Sequence, residues 1–186
     1  MHIPLGATCA TTYQLVKYNK RDNGYPFDWC KISMKQLINV LDNDFKYYED
    51  VIFYKVSDNH KIIKNSIETN QNSNLYKNTY SCIFAHEYND SNMLRDSLAR
   101  RIVRFKEIKD FVYFIRIEVC RAYRRYFEEL KYVVVLLKKY IPQFKLIIIL
   151  HESFRCYQQH VECVEYRYYG RFSEDWRYDY CMNLFE

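Results

Sequence analysis

Cys9 heads the candidates for chemistry in this 186-residue chain. It follows a short apolar segment (2–5) and begins a helix-like stretch. Its thiol would therefore feel the positive end of the helix macrodipole and unpaired backbone N–H groups, which stabilise thiolate over thiol. A thiolate in that position is a nucleophile, and the amides around Thr8 and Ala10 would hold the oxyanion of an acyl intermediate. His86 and His151, each followed by a glutamate, are rival bases: either could take the thiol proton and later protonate the leaving group. Arg116 and Glu118 fall at another strand end. The alternatives are structural: a small cysteine at a tight strand-to-helix turn, and histidines simply hydrogen-bonded at strand ends.

These side chains share one place only if the elements around them form an α/β sheet, whose ligands sit at the C-terminal ends of the strands. The pattern predicts that arrangement, with strands at 2–5, 80–85, 111–117, 146–150 and 161–168 alternating with helices. Thr8 is the expected N-cap of a first helix running to Tyr18. Ser33 and Gln36 make a capping box ahead of Met34, Leu37, Ile38 and Leu41 at helical spacing. Leu94, Leu98, Ile102 and Phe105 mark a third helix. Tyr123, Phe127, Leu130, Val134 and Leu137 mark a fourth, which Pro142 stops. Residues 146–150 are continuously apolar, as strands buried on both faces of a parallel sheet are.

Runs at 51–56 and 61–67 flank Ser57-Asp58-Asn59 and read as a hairpin. The Asn- and Gln-rich stretch 69–78 reads as a surface loop, and Ser173, Glu174, Asp175 and Trp176 open a last helix. Pro4 removes a ladder donor from the first strand, which must be short or at an edge. Tyr25-Pro26-Phe27-Asp28-Trp29 is too aromatic and too restricted for a free loop. It is expected to pack inward with Trp29 mostly buried, and with Asp28 accepting hydrogen bonds from nearby backbone or from an arginine, Arg116 being the candidate. The expected fold is one α/β domain over residues 1–186: a mostly parallel sheet flanked by helices, with a β-hairpin insertion near 51–67.

Two further constellations carry weaker chemistry. His151, Cys156, His160 and Cys163 could bind zinc, but H-x4-C-x3-H-x2-C matches no usual structural pattern, and no metal or other cofactor is expected. Arg121, Arg124, Arg125, Lys131, Lys138 and Lys139 interleave with Tyr123, Tyr126 and Tyr132, as a nucleic-acid face would. Tyr123 lies on the core stripe of that helix, however, and Glu128 and Glu129 dilute the charge, so nucleic acid is not the expected partner.

Composition bounds the rest. Hydrophobic residues are 49% and charged residues 27%, an ordinary globular balance that excludes a disordered or fibrous chain. Twenty tyrosines and twelve phenylalanines shift burial onto aromatic rings, and many tyrosine hydroxyls are expected to stay wet. The net charge of +5 is too small to demand a polyanion. Seven cysteines without CxxC spacing, and no secretory leader ahead of them, predict reduced thiols in a cytosol-like compartment. No apolar run reaches the roughly 18 residues that span a bilayer, so no membrane partner is expected.

Leu5-Gly6-Ala7-Thr8-Cys9, the following Tyr13-Gln14-Leu15 and the segment Tyr25-Pro26-Phe27-Asp28-Trp29 resemble the DUF1796 family, putative papain-like cysteine peptidases of bacteria and large DNA viruses. Phe84-Ala85-His86-Glu87, residues 100–105 and Phe114-Ile115-Arg116 follow in the family's order, so the likeness spans roughly residues 1–150. The resemblance implies Cys9 as nucleophile, His86 as its partner and Asp28 and Arg116 as residues of the pocket. It implies an acyl or peptide substrate and, for a viral member, a location in host cytoplasm or virion with protein partners in the particle. A non-enzymatic viral structural or interaction protein that keeps the fold, or a phosphate- or small-molecule-binding α/β domain, is the alternative.

Overall fold

The computed structural model describes residues 1–64, 67–85, 90–118 and 125–169. In chain order these form β1 (His2–Pro4), α1 (Ala10–Lys17), β2 (Cys30–Lys31), α2 (Met34–Asp42), β3 (Val51–Lys64), β4 (Ile67–Asn78), β5 (Ile83–Phe84), α3 (Ser91–Lys106), β6 (Val112–Ile117), α4 (Tyr126–Tyr140), β7 (Phe144–His151), a 3-10 turn (Glu152–Tyr157) and β8 (Val164–Tyr169). The last helix expected from Ser173 onward lies outside the described residues.

Four strands form the parallel sheet in the order β1-β6-β7-β8. β1 is an edge strand, as Pro4 requires. Tyr113 N–H donates to Met1 O (2.9 Å) and Leu5 N–H to Ile115 O (2.8 Å). Odd-numbered residues therefore bond β6, and the missing Pro4 donor falls on the open side. One face of the sheet carries Ile3, Leu5, Phe114, Leu146 and Ile148 into the main core with α2, α3 and α4. The opposite face carries Ile115, Ile117, Ile147 and Ile149, packed with Leu15 of α1. This double burial is why residues 146–150 of β7 read as an unbroken apolar run.

The remaining strands make a second, antiparallel sheet in the order β2-β5-β4-β3. Here the structure corrects three expectations. β5, within the strand expected at 80–85, pairs with β2 and β4 and not with the parallel sheet. β3 runs straight through Ser57-Asp58-Asn59, where a turn was expected; the ladder takes up the extra residues as an irregularity between Ser57 and His60, so local turn chemistry yields to register. The stretch expected as a loop is β4, because cross-strand pairing supplies the order that its polar side chains do not.

The helices follow their local signals. Ser33 Oγ accepts from Gln36 N–H (3.3 Å) while Gln36 Oε1 accepts from Ser33 N–H (2.8 Å), closing the capping box. Aromatic rings join the layers: Phe27, Phe45, Tyr48, Phe105 and Phe114 meet at centroid separations of 5.4 to 6.2 Å. Tyr47, Tyr54 and Tyr132 are exposed, whereas two buried tyrosine hydroxyls bond main-chain carbonyls inside, Tyr48 to Pro26 O (3.0 Å) and Tyr169 to Glu118 O (2.9 Å). No helix among the described residues is long and apolar enough to cross a membrane.

This burial has a measurable consequence. Desolvation raises the phenol pKa of Tyr48 and Tyr126 well above its ordinary value, and that of Tyr166 to about 12. The folded chain therefore holds protons that the unfolded chain releases near pH 10, so the stability these groups contribute is complete below pH 10 and is lost as pH rises beyond it. In a spectrophotometric titration the last fraction of phenolate should appear only together with loss of the far-UV circular dichroism. All twenty tyrosines ionising independently near pH 10 with the fold intact would contradict this packing.

Candidate active site

β1 hands over to α1 through a turn that is strained and tightly seated. Gly6 and Ala7 both adopt left-handed backbone, φ +64° and +71°. A Cβ on Gly6 would stand 2.2 Å from Ile32 Cγ2, so only glycine fits, and Ala7 holds a conformation costing roughly 1 kcal/mol. Thr8 and Cys9 follow, both partly exposed. Cys9 itself is the N-cap, one residue later than expected. Thr8 Oγ1 still caps the helix by accepting from Ala10 N–H (3.2 Å), so that amide is already directed at Thr8.

Two threonines that sequence reasoning passed over fix the first turn of α1. Thr11 Oγ1 donates to Gly6 O (3.1 Å) and accepts from Ile117 N–H (3.3 Å), pinning the helix to the end of β6. Thr12 Oγ1 accepts from Trp29 N–H (3.0 Å), and Trp29 O accepts in turn from Ala85 N–H (3.2 Å). The helix that begins at Cys9, the residue after Asp28 and the residue before His86 are thus joined by two hydrogen bonds through Trp29. Trp29 is partly buried and left-handed, φ +53°, a strain that a bulky residue accepts only where its surroundings fix it.

Asp28 is fully buried. Its Oδ2 accepts from Tyr25 N–H (2.9 Å) and from Arg21 Nε and Nη2 (3.1 and 2.6 Å). The expected bonds from backbone and arginine are present, but the arginine is Arg21 and not Arg116. Arg116 is committed elsewhere: Glu118, two residues on, shares its face and accepts from its Nε. Asp28 Oδ1 has no hydrogen-bond partner among the described residues.

Arg116, 1% exposed, donates from Nε to Glu118 Oε1 (2.5 Å), from Nη1 to Leu5 O (2.7 Å) and from Nη2 to Ile32 O (3.0 Å). Burial works against its charge, but the Glu118 carboxylate outweighs that and raises the guanidinium pKa. One side chain thereby grips the last residue before the Gly6 turn and the segment behind it. Tyr126 lies buried beside this pair and feels the Glu118 charge.

His86 lies outside the described residues. His151 ends β7, two strand positions from β1, a lateral step of about 10 Å. Its Nδ1 accepts from Ser153 N–H (3.2 Å) and meets Ser153 Oγ at 2.7 Å, capping the 3-10 turn, while its ring stands edge-on to Tyr169. The zinc candidates do not gather: no group of three metal-binding side chains exists among the described residues. Along α4, Lys138 pairs with Glu162 (2.8 Å), Lys139 with Asp42 (3.7 Å), and Tyr126 is buried. Arg121, Tyr123 and Arg124 lie outside the described residues.

The model of one protein family, described as "Putative papain-like cysteine peptidase (DUF1796)", matches residues 1–154. No curated protein and no solved structure matches the chain.

The Asp28 contacts predict a stability effect. Asp28→Ala leaves the Tyr25 amide and the Arg21 guanidinium without their acceptor. Because Arg21 keeps 23% of its side chain in solvent, the cost should be about 2–3 kcal/mol, below that of a fully buried pair. At this chain length that lowers the melting temperature by roughly 5–10 °C. An unchanged melting temperature would show that the carboxylate is not the anchor of this segment.

Proposed function

The chain belongs to the DUF1796 family, and from that membership we propose that it is a cysteine-dependent hydrolase or acyl transferase with Cys9 as nucleophile and His86 as general base. The observation that carries the proposal is the Thr12–Trp29–Ala85 link, which ties the start of the Cys9 helix to the residue after Asp28 and to the residue before His86. A nucleophile on a sharp, strained strand-to-helix turn is exposed to substrate while its helix donates partial positive charge. Gly6, Ala7 and Cys9 have that form.

In the proposed reaction His86 removes the Cys9 proton, and the thiolate attacks the acyl carbon. An oxyanion forms against the amides at the helix start, where it competes with Thr8 Oγ1 for the Ala10 N–H. Collapse expels the leaving group, which takes the proton from His86, and leaves a Cys9 thioester. Water or an acceptor nucleophile then cleaves it, giving up a proton to His86 and returning the thiolate. Asp28 is the proposed orienting carboxylate: it is buried, Arg21 holds one oxygen, and the other has no partner among the described residues. Arg116 positions the Cys9 turn from behind and does not reach substrate.

His151 is proposed to be structural, since its Nδ1 is committed to the Ser153 cap. Alkylation of Cys9, followed residue by residue by mass spectrometry, tests the pairing. His86→Ala should slow it near neutral pH by about tenfold, the factor between a paired thiolate and an ordinary thiol, whereas His151→Ala should leave it nearly unchanged. Identical rates in wild type and both variants would remove the Cys–His pair and favour a non-enzymatic role.

A further inference from the structure

The antiparallel sheet ends in an edge that is unusually apolar. Among the described residues β3 is its outer strand, and Ile52, Phe53, Tyr54 and Val56 are 68%, 55%, 47% and 54% exposed. Edge strands are normally blunted by charge, but in this run only Lys55 is charged, and its Nζ lies 5.7 Å from the Tyr54 ring. We propose that this edge is the interface of a homodimer, in which β3 pairs antiparallel with β3 of a second copy about a two-fold axis at Tyr54.

A second copy fits because the edge is self-complementary. With the axis at Tyr54, Ile52 faces Val56, Phe53 faces Lys55 and Tyr54 faces its own counterpart. Every pair is apolar on apolar, ring on ring or ring on ammonium; no two charged side chains stand directly opposite, and the Lys55 and Lys77 ammonium groups, 5.7 and 5.6 Å from the Tyr54 ring, flank the axis. The size also fits. An aromatic side chain buries roughly 150–250 Å² when wholly enclosed, and these four are about half exposed, so they offer on the order of 400 Å² per chain and about 800 Å² for two copies, the range of a weak, transient contact. The ladder with β4 skips Tyr54 as a bulge, which keeps the paired stretch short. Both features point to a reversible dimer of roughly micromolar affinity.

Sedimentation of the full chain over about 1–100 µM reads this directly. The wild type should pass from the mass of one 23.0 kDa chain to that of two. Ile52→Lys combined with Val56→Lys places ammonium groups opposite each other and should hold the chain monomeric with an unchanged melting temperature, since all four side chains are exposed. Val135→Lys, at an equally exposed position on α4, should dimerise like the wild type. A wild type that stays monomeric throughout would overturn the proposal and leave the edge to a strand of another protein. A double variant that still dimerises, or loss of the dimer in Val135→Lys, would overturn it as well. Cys9 alkylation plays no part in the readout, so the dimer and the proposed chemistry stand or fall separately.

Discussion

A guanidinium removed from water must find its hydrogen bonds inside the protein, and the partners Arg116 takes organise the molecule. Its planar fork spans three groups that belong to different parts of the chain: the carbonyl of Leu5 at the end of β1, the carbonyl of Ile32 after β2 and the carboxylate of Glu118 beyond β6. The parallel sheet and the segment leading to α2 are thus held at one point. A lysine could not meet this geometry, having a single point charge in place of a rigid fork. Losing a partner would strand a buried charge, at a cost of about 3–5 kcal/mol. The Gly6 turn lies against Ile32 with no room for a side chain, so the position of Ile32 sets that of the turn, and the turn sets that of Cys9.

From that fixed point the candidate site is assembled by short hydroxyl contacts. Thr11 bonds α1 to the preceding turn and to β6, and Thr12 bonds it to Trp29. Left-handed backbone at Gly6, Ala7 and Trp29 marks where the chain bends to bring these pieces together, and strain of this kind survives only where neighbours over-determine the conformation. Among the described residues the order β1-β6-β7-β8 runs monotonically across the sheet, without the reversal of strand order that marks the usual ligand position in such sheets. The turn at Cys9 lies at the edge strand, where the antiparallel sheet and the 25–29 segment meet the parallel one.

What could be read from the residues was local or periodic. The Ser33–Gln36 box, the apolar stripes of α2 and α3 and the double burial of β7 are encoded within a few residues of themselves, and all are found. The segment 25–29 was legible as inward-packing because its aromatics and Pro26 allow little else. What escaped reading depends on distant partners. β4 is polar and lacks strand periodicity; it becomes a strand because β3 pairs with it. The 80–85 stretch was legible as extended but not its sheet, since a two-residue ladder with β2 leaves no trace in its composition. The need of Asp28 for a cation was evident from its type and setting. That Arg21 supplies it depends on a turn whose path the spacing does not determine, although an arginine seven residues upstream was the signal available. Thr11 and Thr12 at a helix start suggest capping of α1 itself; their actual bonds reach across the fold.

The proposed chemistry requires Cys9 to be a thiolate at neutral pH, and the direct measurement is the pH dependence of its alkylation, resolved by residue in one sample against Cys156, an exposed thiol of the same chain. The predicted Cys9 profile reaches half its maximum rate below about pH 7.5, and Cys9 reacts ahead of Cys156 at neutral pH. A Cys9 profile that coincides with that of Cys156, or lies above it, would contradict the assignment of Cys9 as an activated nucleophile.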